Sequence, residues 1–124
     1  MRRSTVINLL QGTARFFVQN PDELQVSKIP QLQRTEGSRF LIETSQAQIE
    51  FSKADVVVET NPEISTVYTL AGSVTVRNSS KLIVGTTLVG ENLAVIVRPK
   101  NAPTVPSIIP QQQRRIFIRD AHQF

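Results

Sequence analysis

Short apolar runs that alternate with polar residues, each closed by a turn signal, constrain this chain more than any other feature. A strand points successive side chains to opposite faces, so alternation puts one face in a core and the other in water. Gln46-Ala47-Gln48-Ile49-Glu50-Phe51 alternates with Ala47, Ile49 and Phe51 inward, and Leu24-Gln25-Val26-Ser27 does the same. Arg39-Phe40-Leu41-Ile42-Glu43-Thr44 is apolar on both sides at its middle, as a more buried strand would be. Val56-Val57-Val58 and Leu93-Ala94-Val95-Ile96-Val97 are rich in β-branched side chains, which suit a pleated surface better than a helix.

Turn signals fall between the runs: Asn20-Pro21-Asp22, Glu36-Gly37-Ser38, Asn61-Pro62-Glu63, Ala71-Gly72-Ser73, Asn78-Ser79-Ser80 and Gly90-Glu91-Asn92. Tyr68 through Val76 reads as two strands folding about Gly72, where glycine accepts a positive φ. No long stretch carries an apolar stripe at 3.6-residue spacing. The fold class is therefore all-β: antiparallel sheets stacked as a small sandwich or short β-solenoid, with little or no helix. With 124 residues, the chain divides into a β domain over residues 4–98 and a proline-rich linker and tail over 99–124. Pro99, Pro103, Pro106 and Pro110 lack the N–H that a central strand needs, so their segment is an extended connector. Arg115-Ile116-Phe117-Ile118-Arg119 alternates again and is expected to return to an edge of the sheet or to pair with another chain.

The inventory of reactive groups is thin. There is no cysteine and one histidine, His122, which excludes a nitrogen–sulfur metal site. No serine stands in a nucleophile-elbow context, and Gly85 and Gly90 are not followed by the Lys-Ser or Lys-Thr of a phosphate-binding loop. Glu43, Glu50, Glu59 and Glu63 read as surface carboxylates rather than as an acid–base pair. The expectation is a non-enzymatic protein without metal or cofactor. The formal charge of +4 is uneven: acids outnumber bases seven to four from Glu36 to Glu91, while Arg2, Arg3, Lys100, Arg114, Arg115 and Arg119 load the ends. A basic nucleic-acid module is one alternative, but with Tyr68 the only tyrosine and no tryptophan the stacking platform is poor. A carbohydrate or cell-wall binder is the other, and it wants the same exposed aromatics.

No apolar run approaches the roughly 20 residues of a spanning helix. Met1-Arg2-Arg3-Ser4 hints at an export signal, but the apolar stretch behind it is too short for one. Absence of cysteine is compatible with the cytoplasm and with the bacterial envelope.

Four pieces, in order, resemble the FecR domain family. Leu9 to Phe16, with Gly12, is similar to its opening strand pair. Glu36-Gly37-Ser38-Arg39-Phe40-Leu41-Ile42 resembles its Gly-Thr-x-Phe signature, with serine and arginine as departures. Ser65 to Val76 resembles its Val-x-x-Gly-x-Val-x-Val hairpin, and Leu82 to Pro99, with Gly85 and Gly90, its closing strands. Extra residues between Thr44 and Ser65, with Phe51 and Val56-Val57-Val58, are expected to add a hairpin. The resemblance implies a non-catalytic protein–protein interaction module of a bacterial periplasm or cell envelope, in a signal-transduction or scaffold role. Its expected partner is an envelope or surface protein, and self-association through sheet edges is an option. Val56, Val57, Val58, Ile116, Phe117 and Ile118 are the candidate contact residues.

Overall fold

A computed structural model describes residues 4–18, 25–27 and 39–121. Its elements are β1 (Ser4–Asn8), β2 (Gly12–Val18), β3 (Gln25–Ser27), β4 (Arg39–Glu43), β5 (Ala47–Phe51), β6 (Ala54–Thr60), β7 (Ser65–Gly72), β8 (Val74–Asn78), β9 (Thr86–Val89), β10 (Leu93–Val97), β11 (Ser107–Ile108) and α1 (Gln111–Ala121). The strands form two sheets, five-stranded in the order β1-β4-β5-β8-β9 and six-stranded in the order β11-β10-β7-β6-β2-β3. Every pairing is antiparallel except β1 with β4. Two sheets that each bury one face make a small β-sandwich.

The inward faces follow the alternation. Phe40 lies opposite Phe51 and Ile42 opposite Ile49, and the two phenylalanine rings meet at 5.8 Å between centroids. From the other sheet Phe16, Val56, Val58 and Val67 complete a continuous core with Val74, Val76 and Val95. Burying each large apolar side chain is worth about 1.5–3 kcal/mol. β6 runs through the middle of its sheet and is buried on both sides: Val56 and Val58 face the sandwich, while Val57 joins a second cluster with Leu70, Ala94, Ile109 and Phe117. Double-sided burial explains why the triple valine shows no alternation.

The chain fills the sandwich in pairs. β2 pairs with β3, β6 with β7 and β10 with β11 in one sheet, and β4 with β5 and β8 with β9 in the other. Ser52-Lys53 carries the chain from β5 to β6, and Ser73 returns it from β7 to β8, so both crossings fall at one corner. Gly72 makes that corner possible. Its φ is +76°, and a Cβ there would lie 2.6 Å from the Lys53 carbonyl oxygen and 3.0 Å from Ala54 Cα.

Three expectations are corrected. The segment folding about Gly72 is not a paired hairpin, because a one-residue link sends β7 and β8 into different sheets. The extra stretch from Thr44 to Ser65 is not an added hairpin either: β5 and β6 also lie in different sheets, and β6 takes β7 as its neighbour. Arg115–Arg119 is not an edge strand but part of the 11-residue helix α1. Gln111-Gln112-Gln113-Arg114-Arg115 favours helix, Pro110 fits just ahead of it, and Phe117 gains a buried site against the sheet. Between Pro106 and Pro110 lies the two-residue β11. His122 and the turns at Asn20–Asp22 and Glu36–Ser38 lie outside the described residues.

A buried polar cluster locks the β4–β5 turn to the β6–β7 turn. Thr44 Oγ1 and Ser65 Oγ are 2.7 Å apart, Ser65 donates to Gln46 Oε1 at 2.7 Å, and Gln46 Nε2 donates to the carbonyls of Asn61 and Pro62 at 3.1 and 3.0 Å. Thr60 Oγ1 joins Ser65 at 2.8 Å. Such a cluster stabilises because its polar groups are satisfied. Asn78 plays a similar part for the strand ends, donating to the carbonyls of Arg98 and Asn101 at 2.7 and 2.8 Å.

Candidate interaction surface

The outer face of the five-stranded sheet is a lattice of polar side chains in register. Asn8, Glu43, Gln48, Arg77 and Thr86 form one row across the strands, and Val6, Leu41, Glu50, Thr75 and Leu88 form the next. Gln48 donates to Glu43 at 3.3 Å and accepts from Arg77 at 2.7 Å. Arg39 pairs with Glu50 at 2.7 Å, but both are half exposed and such a pair contributes little to stability.

On the outer face of the six-stranded sheet, Arg15, Val57, Tyr68 and Ala94 form a row. α1 covers the apolar part of that row. Phe117 packs against Tyr68 at 4.7 Å between centroids with the rings tilted by 57°, and Arg114 Nη1 donates to the Leu70 carbonyl at 3.0 Å. Burial under α1 pushes the Tyr68 hydroxyl above its ordinary pKa, helped by the negative charge of Glu59. Beside this row Arg15 makes a two-armed ion pair with Asp55, with Nε donating to Oδ1 at 2.7 Å, and lies over the Phe17 ring. The hydrogen bond to Asp55 is the main reason that the Arg15 pKa is raised. Among the described residues, Arg15, Arg39, Arg77 and Arg114 thus already donate to groups of the domain itself.

Among the described residues no cluster of three or more His, Cys, Asp or Glu side chains could hold a metal. Glu43 and Glu50 are tied into the surface lattice, and Glu59 accepts from Thr13 at 3.4 Å. Among the described residues no helix is long and apolar enough to cross a membrane.

Of the six residues singled out from the sequence, Val57 and Phe117 are brought together, but inside the second core cluster and not on a surface. Val56, Val57 and Val58 have relative exposures of 0%, 2% and 0%, so their side chains offer no surface to a partner. Phe117 is spent on Tyr68, Ile116 is 40% exposed, and Ile118 lies in the same helix. What the pattern of alternation passed over is the segment around β9, where Leu82, Val84 and Leu88 stand 90%, 89% and 68% exposed. A sequence signal for it exists: nine consecutive residues from Leu82 to Gly90 carry no charge.

No protein-family model matches the sequence, and no curated protein matches it. Among solved structures, the chain is similar to two crystal structures, at 1.65 and 2.50 Å resolution, of a protein from Parabacteroides distasonis described as a proposed anti-sigma factor. The first superposes with a TM-score of 0.58 at 18% identity, the second with 0.58 at 17%. In both cases the match covers 91% of this chain and 46% of the other, so this chain spans just under half of that protein. The shared feature is the all-β fold.

Proposed function

We propose that this chain is a non-catalytic protein–protein interaction domain of a bacterial cell-envelope protein, in a signal-transduction or scaffold role. The observation that carries this reading is the fold it shares, over 91% of its length, with a proposed anti-sigma factor. Resemblance of the Leu9–Phe16, Ser65–Val76 and Leu82–Pro99 segments to the FecR family supports it from the sequence side, and points to the periplasmic side of the envelope. The partner in this reading is a protein.

The side chains argue against the two alternatives. A carbohydrate platform needs exposed aromatic faces, yet Tyr68 is covered by Phe117 and Phe16, Phe40 and Phe51 are buried. A nucleic-acid surface needs basic groups free for phosphates, and four of the basic groups, Arg15, Arg39, Arg77 and Arg114, are already engaged within the domain. Of the contact residues expected from the sequence, the reading retains Ile116 on the open side of α1.

Fractionation of the source cells, followed by crosslinked capture through this domain, tests the proposal. Recovery from the envelope joined to a defined surface or membrane protein is the expected result. Recovery from the cytoplasm on nucleic acid, released by salt, would overturn it.

A further inference from the structure

One end of the sandwich gathers the most exposed aliphatic side chains of the domain. Among the described residues Leu10, Leu82, Val84 and Val105 are 81%, 90%, 89% and 86% exposed, more than any other large hydrophobic. All four sit in loops at the same end: Leu10 between β1 and β2, Leu82 and Val84 between β8 and β9, and Val105 between β10 and β11. Turns at this end are stitched side by side, with the Leu9 amide donating to the Glu43 carbonyl and the Ser79 amide to the Gln46 carbonyl, both at 2.9 Å.

The β8–β9 and β10–β11 loops form a built ledge. Asn78, only 2% exposed, donates to the carbonyls of Arg98 and Asn101 and accepts the Ser80 amide at 2.8 Å. Ser80 accepts the amides of Leu82 and Ile83 at 3.3 and 3.2 Å, and the Thr104 amide donates to the Ile96 carbonyl at 3.0 Å. A Cβ on Gly85 would stand 3.6 Å from Ala102 Cβ, so the loops touch. Main-chain donors beside the exposed aliphatics are thereby paired, as entry into an apolar phase requires. Lys81, Arg98 and Lys100 stand exposed on the same two loops, and neither loop contains an acid. Acids at this end, Glu43 at the close of β4 and Glu63 in the β6–β7 turn, lie outside the pair.

From this ledge we infer that the domain docks end-on to an anionic lipid bilayer, with Leu82, Val84 and Val105 entering the interface and Lys81, Arg98 and Lys100 meeting the headgroups. Exposed apolar patches rimmed by polar groups mark protein or membrane contacts. The composition decides between them. Protein interfaces favour aromatic residues and methionine and disfavour lysine, whereas these loops hold lysine and aliphatics and no aromatic or methionine. Lack of an aromatic also removes the stacking that a single-stranded nucleic acid needs. Aliphatics backed by cations are what an anionic lipid surface retains. Such docking leaves the outer face of the five-stranded sheet open to a protein partner.

Cosedimentation of the full chain with vesicles of equimolar phosphatidylglycerol and phosphatidylcholine, and of phosphatidylcholine alone, tests the inference. The wild type is expected to pellet with the anionic vesicles, less so as salt rises, and to bind the neutral ones far more weakly. K81Q/K100Q should weaken binding about tenfold or more. L82S/V84S should weaken it by about the same factor without changing its salt dependence. I108S is the control, since Ile108 is 73% exposed but lies opposite Leu93 at the other end of β10. All these side chains are exposed, so each variant should keep the wild-type circular dichroism spectrum. Because the chain has no cysteine, L82C and I108C can each carry one environment-sensitive fluorophore, and only the label at position 82 should shift to the blue on anionic vesicles. No binding to anionic vesicles, binding that L82S/V84S leaves unchanged, or a blue shift at position 108 instead of 82 would overturn the inference.

Discussion

Replacing Gly72 by alanine puts the geometry of the sheet corner to a quantitative test. The backbone at Gly72 has φ +76°, a region that costs an L-residue roughly 1–2 kcal/mol. The new methyl group would also sit 2.6 Å from the Lys53 carbonyl oxygen, and that oxygen belongs to the backbone of the β5–β6 link rather than to a flexible side chain. Relieving such an overlap means shifting Lys53 and Ala54 away from β7, at about 1–3 kcal/mol for overpacking. The combined loss is about 2–5 kcal/mol, a large share of the roughly 5–15 kcal/mol that holds a typical domain folded. Gly90→Ala is the control. Its Cβ would meet nothing closer than 4.0 Å and its backbone is not in the positive-φ region, so it should be neutral, or stabilising by up to about 1 kcal/mol. Urea denaturation followed by circular dichroism measures both, with an unchanged m-value showing that the folded and unfolded states keep their compactness. A Gly72→Ala loss below about 1 kcal/mol, or one no larger than that of Gly90→Ala, would refute the claim that this corner depends on glycine.

Two further predictions concern the second core and the first. Tyr68 is the only tyrosine and there is no tryptophan, so absorbance at 295 nm reports its ionisation alone. Because its pKa lies above the ordinary 10.0 in the folded state, this group favours folding below about pH 10 and that contribution is lost as pH rises through the folded value. Phe117→Ala should return the titration midpoint toward 10.0, and an unmoved midpoint would show that α1 does not bury the phenol. Thr69 is fully buried and its hydroxyl has no hydrogen-bond partner among the described residues. Thr69→Val should therefore stabilise the domain by about 1 kcal/mol in urea titration, and a loss of stability would show that the hydroxyl is satisfied after all.

Much of the sandwich was legible residue by residue. The inward positions Ala47, Ile49 and Phe51 follow from period-two alternation, since one face of β5 meets the core and the other meets water. Alternation is silent, however, on which sheet a strand joins. β7 and β8 carry the same pattern as a hairpin would, and what makes a corner of them is the one-residue link that sends them into different sheets. In Arg115–Arg119 two periods compete: Ile116 and Ile118 suggest a strand, but Phe117 one turn after Arg114 is enough to seat a helix on Tyr68 and Leu70. The contact residues were less legible than the fold. A β-branched cluster such as Val56–Val58 has one composition whether it lines a core or a docking surface, and here it lines the core. An exposed edge such as β9 announces itself through missing charge, a weaker signal than a periodic one.

The central claim, that this domain works by binding a protein, is tested most directly by titrating the purified domain against the protein captured from the envelope and, in parallel, against duplex and single-stranded nucleic acid over a range of salt. The account predicts saturable binding to the protein with a fixed stoichiometry and only a weak response to salt, and no saturable binding to either nucleic acid. Saturable nucleic-acid binding that falls steeply and log-linearly with salt, with no protein partner retained, would contradict it.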